Sequence, residues 1–376
     1  MNRSTGRGGP TGANLGAVRS HNAALVLGLL RAAGADGISR LELAERTGLT
    51  PQAVSKITAR LREDGLATDA GRRASTGGKP RTVLRLVPEA GHAVGVHLDR
   101  DELRVVLADL DGAVVGEHRD ALDLGAGAEV VLGEVARAVR RVVEEELGPG
   151  AAGPAGARSL LGVGVALPGP LDHTRGVLHR VTGFPEWAGF PLRDALAERL
   201  GVPVVVDKDT NAAALGVAVG GLGGSFAYLH LGTGLGAGLV IGGQLHRGAR
   251  TGAGEFGHQV IQLDGPPCEC GNRGCVEALC LAAVRRGDPA EAARVLGVAA
   301  ANLVGLLDID LVLLGGRTVT AAPEVYVRGV GEVLDARARR EGVSAGPVRV
   351  APRGERGVAE GAAQLLLAPL FGWGEA

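Results

Sequence analysis

The chain has 376 residues, 45% of them hydrophobic and 22% charged, which suits two or three globular domains and excludes a disordered or fibrous protein. The start, MNRSTGRGGPTGANLG, has no apolar run, and we expect no segment as long and apolar as a membrane span, so the sequence predicts a cytoplasmic protein. Residues 1–85 carry 14 Lys and Arg against 6 Asp and Glu (net +8), and the remainder carries 26 against 35 (net −9). A basic head on an acidic body indicates an anionic partner, most simply nucleic acid, although a solvated basic tail gives the same balance.

Three short helices are predicted in the head. The first covers residues 21–31, where apolar residues recur at helical spacing before two glycines. Ser39 with Glu42 forms a capping box that predicts a second helix from Arg40 to about Thr47. Thr50 and Pro51 then predict the start of a third helix. A short helix, a tight turn and a helix that is polar and basic on its outer face are typical of a helix-turn-helix. The residues predicted to contact DNA from the third helix are Gln52, Ser55, Lys56 and Arg60.

The next segment, LATDAGRRASTGGKPRTVLRL, is predicted to form a strand, a loop and a strand. The predicted loop carries four basic residues, Arg72, Arg73, Lys79 and Arg81. A basic hairpin after a helix-turn-helix is typical of a winged helix whose wing contacts the DNA backbone or the minor groove. We therefore predict a winged helix-turn-helix DNA-binding domain over residues 15–86, with double-stranded DNA as its partner.

Beyond Pro88 the pattern changes to alternating strands and helices. A meander of three strands is predicted over residues 92–122, followed by an amphipathic helix over about Ala128–Leu147. Buried strands are predicted at SLLGVGVAL and VPVVV, and a glycine-rich strand–turn–strand at SFAYLHLGTGLGAGLVIGGQL. The alternation occurs twice, which predicts an α/β body with two similar lobes around a cleft.

Six motifs of the body, ALPGPLD, KDTNAAAL, LGTGLGAGLVIGG, GAGEFGH, CECGNRGCVE and LVLLGG, stand in the order typical of one family. Over residues 91–376 the chain resembles the ROK family (repressors, open reading frames and sugar kinases). The resemblance implies an actin-like, ribonuclease-H-like fold, with lobe one over about 91–205 plus the C-terminal helix and lobe two over about 206–352. Members that resemble this chain in carrying a winged helix are mostly sugar-responsive regulators, and those without it are mostly sugar kinases.

Three of the four cysteines lie in CECGNRGC, where a disulfide, a redox pair, a metal site or buried thiols are the alternatives. The cytoplasmic prediction weakens the disulfide. The resemblance implies that the histidine of GEFGH joins them around a structural zinc ion, which makes the ligands His258, Cys268, Cys270 and Cys275. Three thiolates and one imidazole form a closed tetrahedral set, as structural zinc sites do. Cys280 falls outside this spacing.

A sugar site is implied by the same resemblance. Asp209 corresponds to the aspartate that deprotonates the sugar hydroxyl in the family's kinases, and Glu255, His258 and Glu277 correspond to residues that bind sugar hydroxyls. Gly169 is expected to border the pocket. Carboxylates and an imidazole give a polyol several directional hydrogen-bond partners. His258 can serve both sites, with one ring nitrogen toward the metal and the other toward the sugar.

Lys208 departs from the family pattern, which has asparagine at this position. Its ammonium group can pair with Asp209, can face the pocket and select an anionic effector, or can point outward into solvent. We hypothesise that the effector is not a plain neutral hexose.

The loop that holds phosphates also departs from the pattern. Kinases of the family have DxGGT where this chain has HLDRD, with His97 at the first position and Asp99, Arg100 and Asp101 following. Added carboxylates should repel phosphates. Only one helix, over 289–307, is expected between Glu277 and Gly315, where the family has several. No catalytic residue is therefore expected, and Asp209 is interpreted as a vestigial base.

Three hypotheses follow. The leading one is a sugar-sensing transcription regulator, a repressor acting as a homodimer on a palindromic operator. The alternatives are an ATP-dependent sugar kinase with a DNA-binding head, and a regulator that responds to a protein partner.

Overall fold

The computed structural model describes residues 21–73, 81–151, 159–179, 181 and 183–373. Within these residues, the head contains three α-helices and a three-stranded antiparallel sheet in which β3 pairs with both β1 and β2. Its elements are α1 (His21–Ala33), β1 (Ile38–Ser39), α2 (Arg40–Thr47), α3 (Pro51–Glu63), β2 (Ala67–Arg73) and β3 (Arg81–Leu86). The predicted winged helix-turn-helix is confirmed.

The two predicted helix starts of the helix-turn-helix are also confirmed. Ser39 Oγ accepts the backbone N–H of Glu42 at 3.3 Å, and Glu42 Oε2 accepts the N–H of Ser39 at 2.8 Å. Thr50 Oγ1 accepts the N–H of Ala53 at the start of α3. Each such cap stabilises a helix by about 1 kcal/mol, which explains why short α2 begins at the predicted residue.

The prediction that all four basic residues of the wing lie in a loop was wrong for three of them. Arg72 and Arg73 lie in β2 and Arg81 lies in β3, because the ladder continues to the pair Arg73–Arg81. Lys79 lies outside the described residues.

Lobe one of the body is built on a five-stranded sheet in the order β6-β5-β4-β7-β10. Its first three strands form the predicted antiparallel meander, and β7 and β10 add to it in parallel. Its elements are β4 (His92–Leu98), β5 (Glu102–Asp109), β6 (Val114–Ala121), α4 (Ala128–Leu147), β7 (Leu160–Leu167), β8 (Leu171–Asp172), β9 (Val177–Leu178), α5 (Leu192–Leu200) and β10 (Val204–Lys208).

Lobe two follows α6 (Asp209–Val219) and has a sheet of the same topology, in the order β13-β12-β11-β14-β15. Again an antiparallel meander is extended by two parallel strands, so the predicted pair of similar lobes is confirmed. Its elements are β11 (Phe226–Leu231), β12 (Leu235–Ile241), β13 (Gln244–Leu245), α7 (Val276–Arg285), α8 (Pro289–Leu307), β14 (Leu311–Gly315), α9 (Arg317–Ala321), α10 (Pro323–Glu341) and β15 (Val348–Val350).

The last helix, α11 (Gly357–Leu367), returns to lobe one and packs across β4 and β7. The approach is close at two glycines. A Cβ atom at Gly95 or Gly164 would lie 1.9 Å from a backbone oxygen of α11, so any side chain there would displace the helix. The position of α11 against lobe one therefore depends on these two glycines.

Lobe two differs from expectation at two points. It has two helices between residues 276 and 307, because Gly287 and Asp288 separate α7 from α8. In addition, α8 is long and apolar enough to cross a membrane, with a hydropathy of 1.5, although no such segment was expected. Half of the most apolar stretch of α8 is buried, and the helix packs against α7 and α10 as a core helix does.

The head and lobe one share a hydrophobic core. Leu27 and Leu30 of α1 pack with Ala93 of β4, Ala108 of β5 and Leu367 of α11. At its edge, Arg31 Nη2 donates to the backbone oxygen of Asp111 at 2.7 Å, and its guanidinium lies 4.7 Å from the centre of the Phe371 ring. The head is thus fixed to the ends of β4 and β5 that face away from the cleft.

Candidate functional site

A cavity of about 70 Å³ lies between the two lobes. All six residues that the sequence suggested for ligand binding line it, namely Gly169, Lys208, Asp209, Glu255, His258 and Glu277. Asp99, Arg100, His230 and Thr233 also line it, and these were not predicted as ligand contacts. A larger cavity of about 570 Å³ is lined by β13 and the C-terminal segment and by none of the six. The chemistry is concentrated in the smaller cavity, which we call the cleft cavity.

Asp209 is the first residue of α6, where its Oδ1 accepts the N–H of Thr210 at 2.6 Å. Burial, helped by the nearby carboxylates of Asp99 and Glu255, raises the pKa of Asp209 to about 7, although the Thr210 N–H and Lys208 act in the opposite direction. A carboxyl group that titrates near neutral pH can accept a proton from a ligand hydroxyl or donate one to it. Asp209 is the residue that the resemblance led us to interpret as a vestigial base.

Lys208 does not point into solvent, since 3% of its side chain is exposed. Its Nζ lies 3.0 Å from Glu255 Oε1 and also donates to the backbone oxygen of Ala253. The expected alternative of a pair with Asp209 is replaced by a pair with Glu255, because the lysine stem runs past Gly169 toward that carboxylate. One of the carboxylates expected to bind hydroxyls is thus already neutralised.

The strand below this pair is fixed by Asp207. Its carboxylate is buried and accepts hydrogen bonds from Arg247 Nε at 2.7 Å and from Asn211 Nδ2 at 2.8 Å. A buried carboxylate with charged and neutral donors is well compensated. Asp207 therefore holds the end of β10, and with it Lys208 and Asp209, in place.

Glu277 lies in the first turn of α7 and is buried. Its Oε2 accepts the N–H of Leu235, the first residue of β12, at 2.8 Å. A carboxylate near a helix N-terminus is favoured by the helix dipole. The contact ties the glycine turn of residues 232–234 to the cleft cavity.

His258, Cys268, Cys270 and Cys275 form a cluster whose four ligand atoms lie within 4.8 Å of one another. Cys268 Sγ lies 3.7 Å from His258 Nδ1, and Cys270 Sγ lies 3.8 Å from Cys275 Sγ. Tetrahedral zinc with bonds of about 2.3 Å to sulfur requires ligand atoms about 3.8 Å apart. The cluster can hold a metal ion, and its spacing fits zinc. Because Nδ1 faces the cysteines, Nε2 remains on the opposite edge of the ring, and His258 also lines the cleft cavity.

The turn between β4 and β5 is charged and faces lobe two. Arg317, which follows the glycines of β14, donates from Nη2 to Asp99 Oδ2 at 2.6 Å and from Nη1 to Asp101 Oδ2 at 2.8 Å. Arg317 thus neutralises Asp99 and Asp101, the carboxylates that were expected to repel phosphates. Sequence reasoning missed Arg317, although its place directly after LLGG was a usable signal.

Two histidines lie beside this turn, His97 buried and His230 partly buried, with their rings 6.4 Å apart. Burial lowers the pKa of both, that of His230 to about 4, so both are neutral at pH 7. Burial by itself would raise the pKa of Asp99. His97 in its charged form, Arg317, the Arg100 N–H and Thr233 outweigh burial and hold that pKa at about 2. Arg317 is the hydrogen-bonded cation that favours the ionised form of Asp99.

In the head, Gln52, Ser55, Lys56 and Arg60 are all exposed on α3. Val54, Thr58 and Leu61 on the other face are buried. Arg81 is exposed at the start of β3. The outer face of α3 is therefore free of the head's own core, as a groove-binding helix requires.

Residues 94–285 match the ROK family, and residues 26–68 match a winged helix-turn-helix DNA-binding family. The xylose repressor of Bacillus subtilis (strain 168) is 30% identical over 246 residues, which cover 64% of this chain and 61% of the repressor. The chain thus spans about three fifths of that relative's length.

Two solved structures are similar in fold. The ROK hexokinase of Thermus thermophilus is 32% identical, with a TM-score of 0.58 over 74% of this chain and 98% of that one. A ROK family transcriptional regulator, a homologue of the E. coli MLC protein, is 20% identical, with a TM-score of 0.71 over 94% of this chain and 98% of that one. The second likeness extends over the head as well as the body, and it concerns the fold alone.

Proposed function

Because this chain belongs to the ROK family, we propose that it is a sugar-sensing, DNA-binding transcription regulator of the repressor type. One observation carries the proposal: a winged helix with an exposed polar and basic face on α3 shares a hydrophobic core with lobe one of the body. A protein that matches this chain over about three fifths of its own length is a xylose repressor, and this favours the same role here.

DNA is the proposed partner of the head. Gln52, Ser55, Lys56 and Arg60 would contact base edges and phosphates in the major groove, and Arg72, Arg73, Lys79 and Arg81 would contact phosphates from the wing. Since a winged helix of this size contacts one half-site, we propose a homodimer on a two-fold symmetric operator. Such a regulator acts in the cytoplasm, where the genome is.

A sugar or a sugar derivative is the proposed effector of the cleft cavity. Asp209 and Glu277 offer acceptors, and Lys208, Arg100 and His258 offer donors. Both kinds of group are what hydroxyls need. In the part of the chain that the structure describes, no comparable feature favours the third hypothesis, a response to a protein partner.

A structural zinc ion is the proposed occupant of the cluster formed by His258, Cys268, Cys270 and Cys275. Four protein ligands leave no position for a reactive water, so the ion's contribution is to stability. His258 would be oriented by the metal and presented to the effector, and Glu269, between two ligands, would be held near Arg100.

Kinase activity is the alternative, and Asp209 by itself would permit it. The phosphate side argues against it. Where the family's kinases have the small residues of DxGGT, this chain has Asp99, Arg100 and Asp101, and Arg317 occupies the space beside them. Phosphoryl transfer depends on positioned phosphates and magnesium. We infer that the body senses sugar and does not phosphorylate it.

Two measurements test the proposal. Genomic fragments captured by the full chain would define an operator, and release of that operator would be measured with D-xylose, D-glucose and N-acetyl-D-glucosamine. A coupled assay of the same sugars with ATP and Mg²⁺ would be run alongside. Operator binding without turnover supports the regulator. Turnover of about 1 s⁻¹ or more, within the usual range of enzymes, with no operator captured, would establish the kinase instead.

A further inference from the structure

The turn of residues 99–101 belongs to lobe one, yet each of its residues contacts lobe two. Asp99 accepts hydrogen bonds from Thr233 Oγ1 at 2.8 Å and from Arg317 at 2.6 Å. Asp101 accepts from the same guanidinium. Arg100 lies 3.5 Å from Glu269 Oε2 in the cysteine loop. One short turn therefore joins lobe one to three separate parts of lobe two, at Thr233, Arg317 and Glu269.

Arg317 provides the strongest of these contacts. Its planar guanidinium binds Asp101 with both Nη atoms and Asp99 with one of them, a geometry that lysine cannot reproduce. The side chain of Asp101 is 58% exposed and that of Asp99 only 11%. Water screens the first pair and shields the second much less. Loss of Arg317 would therefore leave a nearly buried, ionised carboxylate without its counter-charge.

The same turn forms part of the cleft cavity, which Asp99 and Arg100 both line. Glu255, His258 and Glu277 line it from lobe two, and Gly169 lines it from lobe one. A ligand there touches both lobes, so its affinity depends on how closely the lobes approach.

The turn is also rigidly related to the head. It joins β4 and β5, whose far ends contribute Ala93 and Ala108 to the core shared with α1. The seven residues of β4 span about 23 Å at about 3.3 Å each. The head and lobe one thus form one unit, and the turn of residues 99–101 connects this unit to lobe two.

From these contacts we propose that Arg317 is a positioning residue that keeps lobe two closed over the cleft cavity by binding Asp99 and Asp101. The name of the cavity's occupant, an effector, rests on the proposed function, but closure by Arg317 does not.

The test compares Arg317→Gln, Arg317→Lys and Asp101→Asn with the full wild-type chain, in the absence of DNA and sugar. Arg339→Gln, an exposed arginine of α10, is the matched control. Hydrogen exchange by mass spectrometry would follow peptides covering residues 98–103, 232–236 and 254–258, which face the cleft. Small-angle scattering would report the radius of gyration, and a thermal melt would report global stability.

We expect about fivefold faster exchange in the three peptides of Arg317→Gln, with a larger radius of gyration. Arg317→Lys should recover part of the protection against exchange, since it keeps the positive charge but loses the planar guanidinium. Asp101→Asn should show a smaller increase in exchange than Arg317→Gln. Exchange and radius equal to those of the wild type in Arg317→Gln would overturn the proposal. If Arg317→Gln does not fold, unchanged exchange in Asp101→Asn overturns it and faster exchange at the cleft alone supports it. Neither outcome depends on operator binding, so failure here leaves the proposed regulator role standing.

Discussion

The ammonium group of Lys208 lies 3.0 Å from Glu255 Oε1 in the wall of the cleft cavity, with 3% of the lysine side chain exposed. This pair bears on the charge of the effector. The two cations that line the cavity, Lys208 and Arg100, already face the carboxylates of Glu255 and Glu269. Asp209 and Glu277 add two further carboxyl groups to its lining. An anionic ligand would meet further negative charge, and a neutral polyol would meet acceptors. The contacts thus favour a neutral sugar over a sugar acid or phosphate.

Calorimetry with D-xylose, D-glucose, N-acetyl-D-glucosamine and the two hexose 6-phosphates checks this. We expect a neutral sugar to bind and its phosphate to bind at least about tenfold more weakly, a difference of about 1.4 kcal/mol. Lys208→Asn should weaken the neutral sugar as well, because Glu255 loses the group that orients it. Lys56→Asn on α3 is the control and should leave sugar affinity unchanged. Preferential binding of a 6-phosphate would restore the anionic-effector hypothesis.

Much of the cleft cavity was predictable because its residues lie in motifs with fixed places in the fold. Asp209 follows the end of β10, Glu255 precedes a short helical turn, and Glu277 lies at the start of α7. Local sequence therefore positions each of them. The partner of Lys208 was not predictable. Glu255 is 47 residues away in the chain, and the pairing depends on how lobe two folds back on β10. Arg317 was missed for the same reason, since 218 residues separate it from Asp99.

The metal cluster gives a second prediction. Freshly purified protein should contain about one zinc ion per chain, measured by mass spectrometry of the metal. Cys270→Ser should lose the ion and lower the melting temperature by several degrees, because four ligands hold a loop with little core of its own. Sugar affinity should fall together with zinc content, since His258 belongs to both sites.

Cys280→Ala is the matched control for the cluster. This fourth cysteine is buried in α7, with Sγ 3.6 Å from the backbone oxygen of Ala292, outside the cluster. The Cys280→Ala variant should be somewhat less stable than the wild type and should keep its full zinc content. Wild-type protein without zinc, or Cys270→Ser with full zinc content, would contradict the assignment.

DNA binding by the head gives a third prediction. Gln52→Ala and Lys56→Ala should reduce the preference of the protein for its operator over unrelated DNA, because both side chains are exposed on α3. Arg81→Ala should weaken binding to all sequences alike and lower the salt slope by about one. Fluorescence anisotropy between 50 and 300 mM salt measures both effects. Arg137→Ala, an exposed arginine of α4 in the body, is the control, and an equal effect there would refute the assignment of the head.

The fold was predictable wherever a local signal dominated. The capping box of Ser39, the Thr50–Pro51 start and the amphipathic face of α4 each fixed an element with its bounds. The start of α8 at Pro289 was predicted, but α7 before it was missed, although Gly287 and Asp288 mark the break between the two helices. The extension of β2 and β3 through the arginines of the wing was also hidden. Pairing across the hairpin decides it, and neither strand alone is apolar there.

The last prediction concerns pH and Asp209. Burial, with the charges of Asp99 and Glu255, raises the pKa of Asp209 to about 7, and the ordinary value is 3.8. Between these values the native protein holds a proton that the unfolded chain has lost. The contribution of Asp209 to the free energy of unfolding therefore falls as pH rises through this window and is lost above pH 7.

Asp209→Asn has no such titration, so its stability relative to the wild type should grow from pH 5 to pH 7 and then level off. The growth is at most about 1.4 kcal/mol per pH unit, and less here because Asp209 is only partly buried in the wall of the cleft cavity. Urea unfolding at pH 5, 6, 7 and 8 would measure it, with Asp335→Asn on the surface of α10 as the control. Because other titrating groups are common to all three proteins, their effects cancel in the differences. Parallel stability curves for Asp209→Asn and the wild type would show that Asp209 is already ionised across this range.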